Sequence, residues 1–454
     1  MRVHFIAIGG AAMHNLAIAL HLKGFNVSGS DDVVYEPSKT RLQKSGILPK
    51  QEGWIPENIT KDIDAVILGM HARIDNPELL KAQELGLPIY SYPEYIYQQS
   101  LNKKRIVVGG SHGKTTITSM ILHVLNHYKK DFDYLVGAQI AGFENMVKLS
   151  DAPLIVIEGD EYLASPIDRR PKFHLYYAHV GIISGVAWDH INVFPTFDSY
   201  KLQFDIFIDT IEDKGTLIYC EEDEVLKDLV LNHKFKQNLN CIAYHTPPFE
   251  IENGITSLNF ENKLIALNVF GRHNLMNLTA ARFACQEAGI NEEDFYTAIV
   301  SFTGAAKRLE KLGETDRSVV YKDFAHSPSK LKATIDAVKE QFVNRKLIAC
   351  IELHTFSSLN EDFLKEYDGT MNGAEIAIVF IDKKTFVQKN MKPFTEDDVF
   401  NSFNKEGLKF FDNTDKIKQY IETFKSSDNN LLMMSSGTFG GIDLVTLAKS
   451  FLYG

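Results

Sequence analysis

The sequence has little of what marks a secreted or membrane-spanning protein. Its 454 residues include four cysteines, which are far apart and show no spacing typical of a metal or redox pair. No run of about 18 apolar residues is present, so no spanning helix is predicted. The first residues lead into a strand-like segment and lack the features of a signal peptide. We therefore expect a cytoplasmic protein with four buried thiols, namely Cys220, Cys241, Cys285 and Cys350.

Basic charge is also scarce. Asp and Glu number 59 against 48 Lys and Arg, which gives a net charge of −11. Such a chain does not offer the basic face that general nucleic-acid binding requires, and we predict neither a nucleic-acid nor a membrane partner. An acidic protein can still bind phosphate groups through a few local cations and backbone N–H groups.

Apolar strand-like runs alternate with helix-like segments, which predicts an α/β fold with parallel sheets. The strand-like runs are residues 3–8, 65–68, 105–108, 154–157, 181–184 and 319–324. The clearest helices are residues 112–128 and 274–288. A chain of 454 residues is too long for one core. Polar stretches near residues 100 and 312 predict a division into 1–101, 102–312 and 313–454.

The sharpest local signal is a glycine loop between a strand and a helix, with the sequence Gly109-Gly110-Ser111-His112-Gly113-Lys114-Thr115-Thr116. Glycines let the backbone approach a phosphate closely, and a helix N-terminus offers free N–H groups and a partial positive charge. Lys114 would bind the β- and γ-phosphates of ATP, and the Thr115 hydroxyl would bind Mg²⁺. Val108 stands where the strict motif has its first glycine, so this is a shortened form. The alternative is a turn that only caps a helix.

A second glycine turn follows the first strand, with the sequence Gly9-Gly10-Ala11-Ala12-Met13. Two of the three glycines of the dinucleotide fingerprint are missing, so the turn predicts a diphosphate near a helix N-terminus rather than NAD specifically. Asp31 lies about twenty residues further on. It would either bind a ribose or base or only cap a turn.

Six segments resemble, in the same order, the motifs of the Mur ligase family. They are Gly110–Thr116 of the loop, the acidic segment 158–162, Trp188-Asp189-His190, the segment 271–280, the segment 302–310 and the segment 323–328. The resemblance covers essentially the whole chain. It implies three domains, namely a Rossmann-like domain for a UDP-sugar, a central P-loop ATPase-like parallel sheet for ATP, and a Rossmann-like C-terminal domain for the incoming amine.

The resemblance also implies a reaction. A carboxylate attacks the γ-phosphate of ATP to give an acyl phosphate, and an amine then attacks the carbonyl and releases phosphate. ATP and Mg²⁺ are needed because oxide is a poor leaving group, and the cations offset the charge of two anions brought together. Glu158 and His190 are the predicted metal ligands with Thr115, by resemblance and by ligand type. For His190 the alternative is a structural role. Asp160 and Glu161 would either complete the metal shell or be solvated.

Further roles follow from the same resemblance. Asn274 and Asn277 lie three apart on one helix face, and their amides, with His273, would bind the adenine nucleotide. Arg308 would clamp the γ-phosphate, with an ion pair to Glu310 as the alternative. Asp323 would hydrogen-bond the ATP ribose. On the substrate side we expect UDP-N-acetylmuramate at residues 9–13 and Asp31, and the amine substrate at His326 and His354. A carbamylated lysine near residue 204 is not predicted, because no lysine aligns there.

Two branches of the family compete. One adds L-alanine to UDP-N-acetylmuramate, and the other, murein peptide ligase, adds the tripeptide L-Ala-γ-D-Glu-meso-diaminopimelate. The segments 29–38, 161–173, 194–195 and 434–442 resemble the second branch. The alanine ligases carry a His-Arg-aromatic-Thr-Arg segment, whose counterpart here is His354-Thr355-Phe356-Ser357-Ser358 without either arginine. The Arg-Ser-Asn-Thr segment usual in murein peptide ligases is absent too. The tripeptide ligase is our main hypothesis and the L-alanine ligase the alternative.

Three readings from other classes explain fewer features. An NAD-dependent oxidoreductase predicts a full glycine fingerprint and leaves the Lys114 loop unexplained. A nucleotide-dependent switch or inactive binding module predicts lost loop or metal residues, yet Lys114, Thr115, Glu158 and His190 are present. A folate-polyglutamate ligase shares the ATP loop but resembles only the latter two domains.

Overall fold

A computed structural model describes residues 1–140, 142–305, 308–425 and 428–454. The chain forms two compact units. The first comprises Met1–Val186, Lys201–Tyr244 and Ala280–Phe295, and the second comprises Ala187–Tyr200, His245–Thr279 and Tyr296–Gly454. Among the described residues, no helix has both the length and the apolar character needed to span a bilayer.

The first unit begins with a parallel sheet whose strands alternate with helices. The elements are β1 (Arg2–Ile6), α1 (Ala11–Leu22), β2 (Asn26–Ser30), α2 (Ser38–Lys44), β3 (Ala65–Leu68), α3 (Pro77–Glu84), β4 (Ile89–Ser91) and α4 (Tyr92–Gln99). The strand order is β2-β1-β3-β4. Every residue of β3 is buried, as expected for a strand covered on both faces. The glycine turn at residues 9–10 therefore follows a central strand.

A second sheet of seven strands completes this unit. Its elements are β5 (Lys104–Gly109), α5 (Lys114–His127), β6 (Asp133–Leu135), β7 (Val147–Lys148), β8 (Leu154–Glu158), β9 (Val180–Ile183), α6 (Phe197–Asp209), β10 (Thr216–Cys220), α7 (Glu224–Asn232) and β11 (Asn240–Tyr244). The order is β11-β10-β9-β5-β8-β6-β7, with β7 antiparallel to β6. Because β5 lies between β8 and β9, the residues that follow these three parallel strands lie at one edge of the sheet.

The second unit contains two sheets. Its elements are β12 (Phe249–Glu252), β13 (Ile255–Phe260), β14 (Lys263–Leu267), α8 (Arg272–Glu287), α9 (Glu292–Ile299), β15 (Glu310–Glu314), β16 (Val319–Asp323), α10 (Pro328–Gln341), β17 (Lys346–Glu352), α11 (Glu361–Leu364), β18 (Ile376–Phe380), α12 (Lys383–Lys389), α13 (Glu396–Phe403), β19 (Lys409–Phe411), α14 (Thr414–Glu422), β20 (Asn429–Met434) and α15 (Leu444–Tyr453). Strands β12 to β14 form an antiparallel sheet. The other sheet has the strand order β15-β16-β20-β17-β18-β19. Among its described strand pairs, only β15–β16 is antiparallel. Helices α6, α8 and α9 each contain a point where the chain passes between units.

The α/β expectation is confirmed, and each predicted strand and helix is present with ends shifted by a few residues. One cysteine prediction is wrong. Cys220, Cys285 and Cys350 are buried, whereas Cys241 is exposed. It lies in β11, the edge strand of its sheet, where one side of the strand has no neighbour to cover it.

Candidate active site

The phosphate loop joins β5 to α5, and its shape depends on two glycines in the left-handed region. Gly113 is the N-terminal cap of α5 with φ of 78°. Gly110 has φ of 125°, and an added Cβ would collide with Ser184 Oγ. Ser184 Oγ donates to the carbonyl oxygens of Gly109, at 3.2 Å, and His112. A serine directly after β9 thus fixes the loop, and no local sequence pattern predicts this contact. The predicted residues Ser111 and Thr116 are both buried here.

Lys114 is the first residue of α5, and its ammonium is held inside the loop. Nζ donates to the carbonyl oxygen of Gly110 at 2.7 Å and to Glu161 Oε2 at 2.7 Å. The Glu161 side chain is 1% exposed, so this is a buried ion pair. Burial acts to lower the pKa of Lys114, but the carboxylates of Glu161, Asp160 and Glu158 raise it above its usual value. The lysine therefore stays protonated where an anionic phosphate would be bound.

Glu158, the last residue of β8, lies beside the start of α5. Its Oε1 accepts from the Thr115 hydroxyl at 2.8 Å, and its Oε2 accepts from Gly137 N at 2.8 Å. A carboxylate and a hydroxyl oxygen are ligand types that suit Mg²⁺. Glu158 and Thr115, two of the three predicted metal ligands, are therefore brought together in the first unit.

The two acidic residues after Glu158 are placed differently from each other. Glu161 is buried against Lys114, whereas the Asp160 side chain is 41% exposed and pairs with Lys172. Carboxylate oxygens of the two lie within 4.8 Å of each other. The alternative of two merely solvated acids is therefore wrong for Glu161. His190 belongs to the second unit and has a positive φ of 55°, with its N–H donated to Asp189.

The N-terminal turn is organised by Asp31. Its Oδ2 accepts from Gly9 N at 2.7 Å and its Oδ1 from Asp32 N at 3.0 Å, so the carboxylate caps the turn. Burial raises the pKa of Asp31 to about 6, and a hydrogen bond with the Asp32 side chain acts in the same direction. Ala11 and Ala12, which begin α1 after its cap Gly10, are exposed, while Met13 is buried. The free start of the helix is thus open to a ligand.

In the second unit, Asp189 and His326 share a buried charged cluster with Lys330. Burial acts to raise the pKa of Asp189, but the charge of Lys330, 3.7 Å away, and the nearby histidines lower it to about 2. Burial lowers the pKa of His326 to about 3, and Lys330 adds to this effect. His326 is therefore a neutral imidazole, with Nδ1 bonded to the carbonyl oxygen of Phe324 at 2.8 Å.

Arg308 and Asp323 also lie in this unit. The Arg308 guanidinium stands over the Phe324 ring, 5.1 Å from its centroid. Asp323 Oδ2 accepts from Leu309 N at 2.6 Å, and Oδ1 accepts from Ala325 N at 2.6 Å. Burial raises the pKa of Asp323, although Arg308 opposes this. Glu310, the alternative partner of Arg308, forms an ion pair with Lys322. The neighbouring Lys307 lies outside the described residues.

The predicted adenine-binding amides are both on α8. Asn274 and Asn277 are buried, and Asn274 Nδ2 donates to the carbonyl oxygen of Phe270 at 2.9 Å. That bond uses one donor of Asn274 on the segment just before the helix, so its remaining donor and its acceptor are what a nucleotide would contact. His273 precedes them in the first turn of the helix.

His354 follows β17, beside the end of β20. Its Nδ1 and the Ser436 Oγ are buried without a hydrogen-bond partner among the described residues. Glu352 is buried next to them and accepts from Phe439 N at 2.8 Å and from the Ser435 hydroxyl. Two polar atoms without partners at the carboxyl ends of parallel strands are the arrangement expected where a ligand supplies the missing bonds.

Sequence reasoning missed three residues near the phosphate loop, Tyr92, Lys172 and Tyr176. They line a cavity of about 300 Å³ in the first unit, together with Ala11, Ala12, Lys114 and Glu158. The signal was present in part, because Lys172 lies in the segment 161–173 that resembles the peptide ligases. Tyr92 and Tyr176 carry no motif, and only the fold brings them to the cavity.

Comparisons with known proteins identify the family of this chain. Residues 2–104 match the family described as "Mur ligase family, catalytic domain", and residues 108–285 match "Mur ligase middle domain". A UDP-N-acetylmuramate–L-alanine ligase of Caldicellulosiruptor saccharolyticus is 31% identical, over 92% of this chain and 91% of its own length. A UDP-N-acetylmuramate–L-alanyl-gamma-D-glutamyl-meso-2,6-diaminoheptandioate ligase of Haemophilus influenzae is 26% identical, over 98% of each.

A solved structure has the same fold. The murein peptide ligase of Psychrobacter arcticus superposes with a TM-score of 0.65 and 23% identity, covering 100% of both chains. The matches extend over the phosphate loop and the acidic segment whose geometry suits ATP. The chain therefore belongs to the Mur ligase family and is an ATP-dependent, ADP-forming amide ligase.

Proposed function

We propose that the protein joins L-Ala-γ-D-Glu-meso-diaminopimelate to the carboxylate of UDP-N-acetylmuramate, a reaction of peptidoglycan recycling, in the cytoplasm where ATP is supplied. The acceptor is the compound named for the relatives of both branches. What distinguishes the two branches is the amine, and the observation that carries the proposal concerns the residues that would meet it.

That observation is the turn at Thr355–Ser358. The family resemblance places the two arginines of the alanine ligases at Thr355 and Ser358. Here Thr355 N donates to Ser358 Oγ at 2.9 Å, and Ser358 N donates to Thr355 Oγ1 at 3.0 Å. Ser358 is 1% exposed. The pair thus bonds to itself and offers no cation to the carboxylate of a small amino acid.

A cation is present further out. Lys389 of α12 stands over the ring of Phe356, with Nζ 4.3 Å from its centroid, and the Phe356 side chain is 50% exposed. The tripeptide is longer than alanine and carries three carboxylates, so a more distant ammonium suits it better. The partnerless atoms of His354 and Ser436 would bond the peptide itself.

In the first step an oxygen of the acceptor carboxylate forms a bond to the γ-phosphorus of ATP while the bond to the ADP oxygen breaks. We infer that Gly110, Ser111, His112, Gly113 and Thr116 hold the phosphates, with Lys114 donating to them. Thr115, Glu158 and His190 are the residues that would hold Mg²⁺, which would supply positive charge for the transferred group. Arg308 would take up charge at the same γ-phosphate, which the planar guanidinium can bind through two bonds.

In the second step the uncharged amine attacks the acyl carbon, phosphate leaves with the electron pair of the broken bond, and the departing phosphate takes up the proton that the amine nitrogen loses. Burial lowers the pKa of His326, so its imidazole is neutral and too weak a base to deprotonate the amine, but it is suited to accept a hydrogen bond from it. His273, Asn274, Asn277 and Asp323 would hold the nucleoside. Residues 9–13 and Asp31 would form the acceptor's diphosphate site. The three-domain division at residues 101 and 312 belongs to the proposal, and limited proteolysis with mass spectrometry of the cut sites tests it.

The second candidate is L-alanine as the amine. The 31% identity to an L-alanine ligase over nearly the whole chain favours it. Both candidates share the first step and differ only in what the C-terminal site accepts.

The test measures phosphate release from ATP with UDP-N-acetylmuramate and Mg²⁺, adding L-alanine or the tripeptide in parallel and both in competition. We expect release with the tripeptide, and a product of matching mass. Release with L-alanine alone would transfer the assignment to the second candidate. If folded protein releases no phosphate with either amine, UDP-N-acetylmuramate is not its acceptor substrate.

A double variant sharpens the test. Thr355→Arg with Ser358→Arg restores the cations of the alanine ligases, and we expect the L-alanine to tripeptide preference to rise by about 10-fold, the value of a charge-assisted hydrogen bond. Thr355→Val with Ser358→Ala is the matched control, because it disrupts the same turn without adding charge. An equal shift in both variants would show that loss of the turn, not the charge, changes the preference.

A further inference from the structure

The cavity of about 300 Å³ in the first unit lies between the two glycine turns. Ala11 and Ala12 line it from the start of α1, and Lys114 and Glu158 line it from the phosphate loop and β8. A molecule with its diphosphate at the first turn and its reacting group at the γ-phosphate would have to pass through this space. The cavity is in the range of small-ligand sites.

One wall of the cavity is a tightly bonded loop. Lys172 N donates to the Tyr162 carbonyl oxygen at 2.9 Å, and Ala164 N donates to the Arg170 carbonyl oxygen at 2.9 Å. At the tip, Arg170 holds Asp168 through its Nε at 3.0 Å and its Nη2 at 2.7 Å. Residues 162–172 thus form a fixed hairpin whose last residue, Lys172, faces the cavity.

Lys172 brings a second ammonium into the cavity besides Lys114. Its Nζ donates to Asp160 Oδ2 at 2.6 Å and lies 6.0 Å from the centroid of the Tyr162 ring. Its side chain is 20% exposed and that of Asp160 is 41% exposed. A pair so open to water contributes little stability, so Lys172 can exchange Asp160 for another anion at low cost. Lys114, by contrast, is paired with a buried glutamate.

Two neutral hydroxyls flank this ammonium. Tyr92 and Tyr176 line the cavity and are almost fully buried. Burial, and then the neighbouring Asp160, raises the pKa of Tyr92, and burial raises that of Tyr176. Both phenols therefore stay protonated and can donate to or accept from a sugar hydroxyl. The cavity therefore combines one ammonium that can exchange its anionic partner with two hydroxyls that can hydrogen-bond an uncharged sugar.

We propose that Lys172 binds the reacting carboxylate of the acceptor and positions it for attack on the γ-phosphate, while Tyr92 and Tyr176 contact its sugar. The inference rests on the proposed function. Lys172 donates to one carboxylate oxygen, and the other oxygen forms the bond to phosphorus as the bond to ADP breaks. Lys114 is then left to the phosphates, so each of the two anions that must meet has its own lysine.

The experiment compares binding of UDP-N-acetylmuramate with binding of its carboxamide analogue, by calorimetry on the full chain without nucleotide. For the wild type we expect the carboxylate to bind about 10- to 100-fold more tightly than the amide. In Lys172→Met that ratio should fall by about 10-fold, and Lys172→Arg should restore most of it. In turnover, Lys172→Met should raise KM for the acceptor and leave KM for ATP unchanged.

Lys148→Met is the matched control, because Lys148 is 45% exposed, lies in the same unit and is not part of this cavity. If Lys172→Met keeps the full carboxylate preference, Lys172 only holds the hairpin and the inference is overturned. If the wild type does not bind UDP-N-acetylmuramate at all, the proposed function fails and the inference with it. If Lys172→Met unfolds, the double variant Lys172→Met with Asp160→Asn, which removes both charges of the pair, replaces it in the same comparison.

Discussion

The two glycine turns of the first unit have the same plan and different chemistry. Each connects the end of a parallel strand to a helix, β1 to α1 and β5 to α5. In the first turn the N–H of Gly9 is bonded to the carboxylate of Asp31, and the helix begins with two exposed alanines. In the second turn the helix begins with Lys114, buried against Glu161 and beside Glu158.

The difference separates binding from chemistry. A helix start with neutral residues can hold a diphosphate through backbone N–H groups alone, which is enough for a group that does not react. A phosphate that is transferred develops charge that must be offset, and the second turn has a lysine together with two oxygens, of Thr115 and Glu158, of the types that suit Mg²⁺. We therefore expect changes at the second turn to abolish turnover, and changes at the first to alter affinity or stability.

The largest expected effect is at Lys114. Lys114→Met removes the cation from the phosphate site and should lower phosphate release by roughly 10²- to 10³-fold. It also removes the lysine that forms the ion pair with the buried Glu161 carboxylate, which should lower the free energy of unfolding by about 3 kcal/mol. Assays of phosphate release and thermal or denaturant unfolding measure the two effects.

The double variant Lys114→Met with Glu161→Gln separates these effects. Replacing the Glu161 carboxylate with a neutral amide should recover most of the lost stability and none of the activity. Recovery of activity in the double variant would mean that Lys114 serves only to neutralise Glu161, and the distinction between the turns would be lost.

Smaller effects are expected from paired glycine substitutions. Gly110→Ala forces a side chain into a left-handed conformation and against Ser184, so we expect a loss of about 2–3 kcal/mol in unfolding free energy and a damaged phosphate loop. Gly10→Ala is the counterpart in the first turn. Gly10 has φ of −57°, and the atom nearest to an added Cβ would be Met13 Cγ, at 3.4 Å, which is ordinary van der Waals contact. It should change stability by less than about 0.5 kcal/mol.

Denaturant unfolding compares the two alanine variants. Equal losses would show that the second turn is no more constrained than the first. The result also bears on the shortened motif. The strict form has a glycine where this chain has Val108, so in this chain the backbone conformation that requires a glycine is adopted at Gly110.

Much of this architecture could be predicted from the sequence. The strand at residues 105–108 and the helix that follows it were predicted correctly, because buried parallel strands are continuously apolar, and the loop glycines before Lys114 predict a phosphate site between them. The order of motifs gave the family. Thr115 and Glu158 were both predicted to bind one metal, which requires them to lie close together, and their side chains are hydrogen-bonded.

What could not be predicted depends on long-range contacts. Ser184 and Tyr176 reach their neighbours only because β9 and the segment before it lie beside β5, and no local pattern marks them. Glu161 and Asp160 are adjacent acids, yet one is buried against a lysine and the other is half-exposed. Burial of each side chain is decided by packing, which a motif does not encode. The exposed Cys241 has the same origin, since strand order determines which strand is at the edge.

The smallest expected effect is at the first turn and depends on pH. The pKa of Asp31 is raised to about 6, so folding favours its protonated form. The stability that this group contributes is fully present below its unfolded pKa, near 4, and is lost as the pH rises through 6. Asp31→Asn keeps an oxygen that can accept from Gly9 N and cannot ionise. We therefore expect it to match the wild type near pH 4 and to exceed it by on the order of 1 kcal/mol at pH 7.

Unfolding free energies of both proteins between pH 4 and 8 measure this difference, with Asp75→Asn as the control at an acid whose side chain is 63% exposed. Removing the negative charge should also tighten acceptor binding at pH 7 by a few-fold, because the carboxylate repels a diphosphate at the same turn. If Asp31→Asn instead weakens acceptor binding at pH 7 while stability rises, the carboxylate itself contacts the ligand. The first turn would then use a charged side chain to bind its ligand, as the second turn does. The two turns would differ only in that the group bound at the second one reacts.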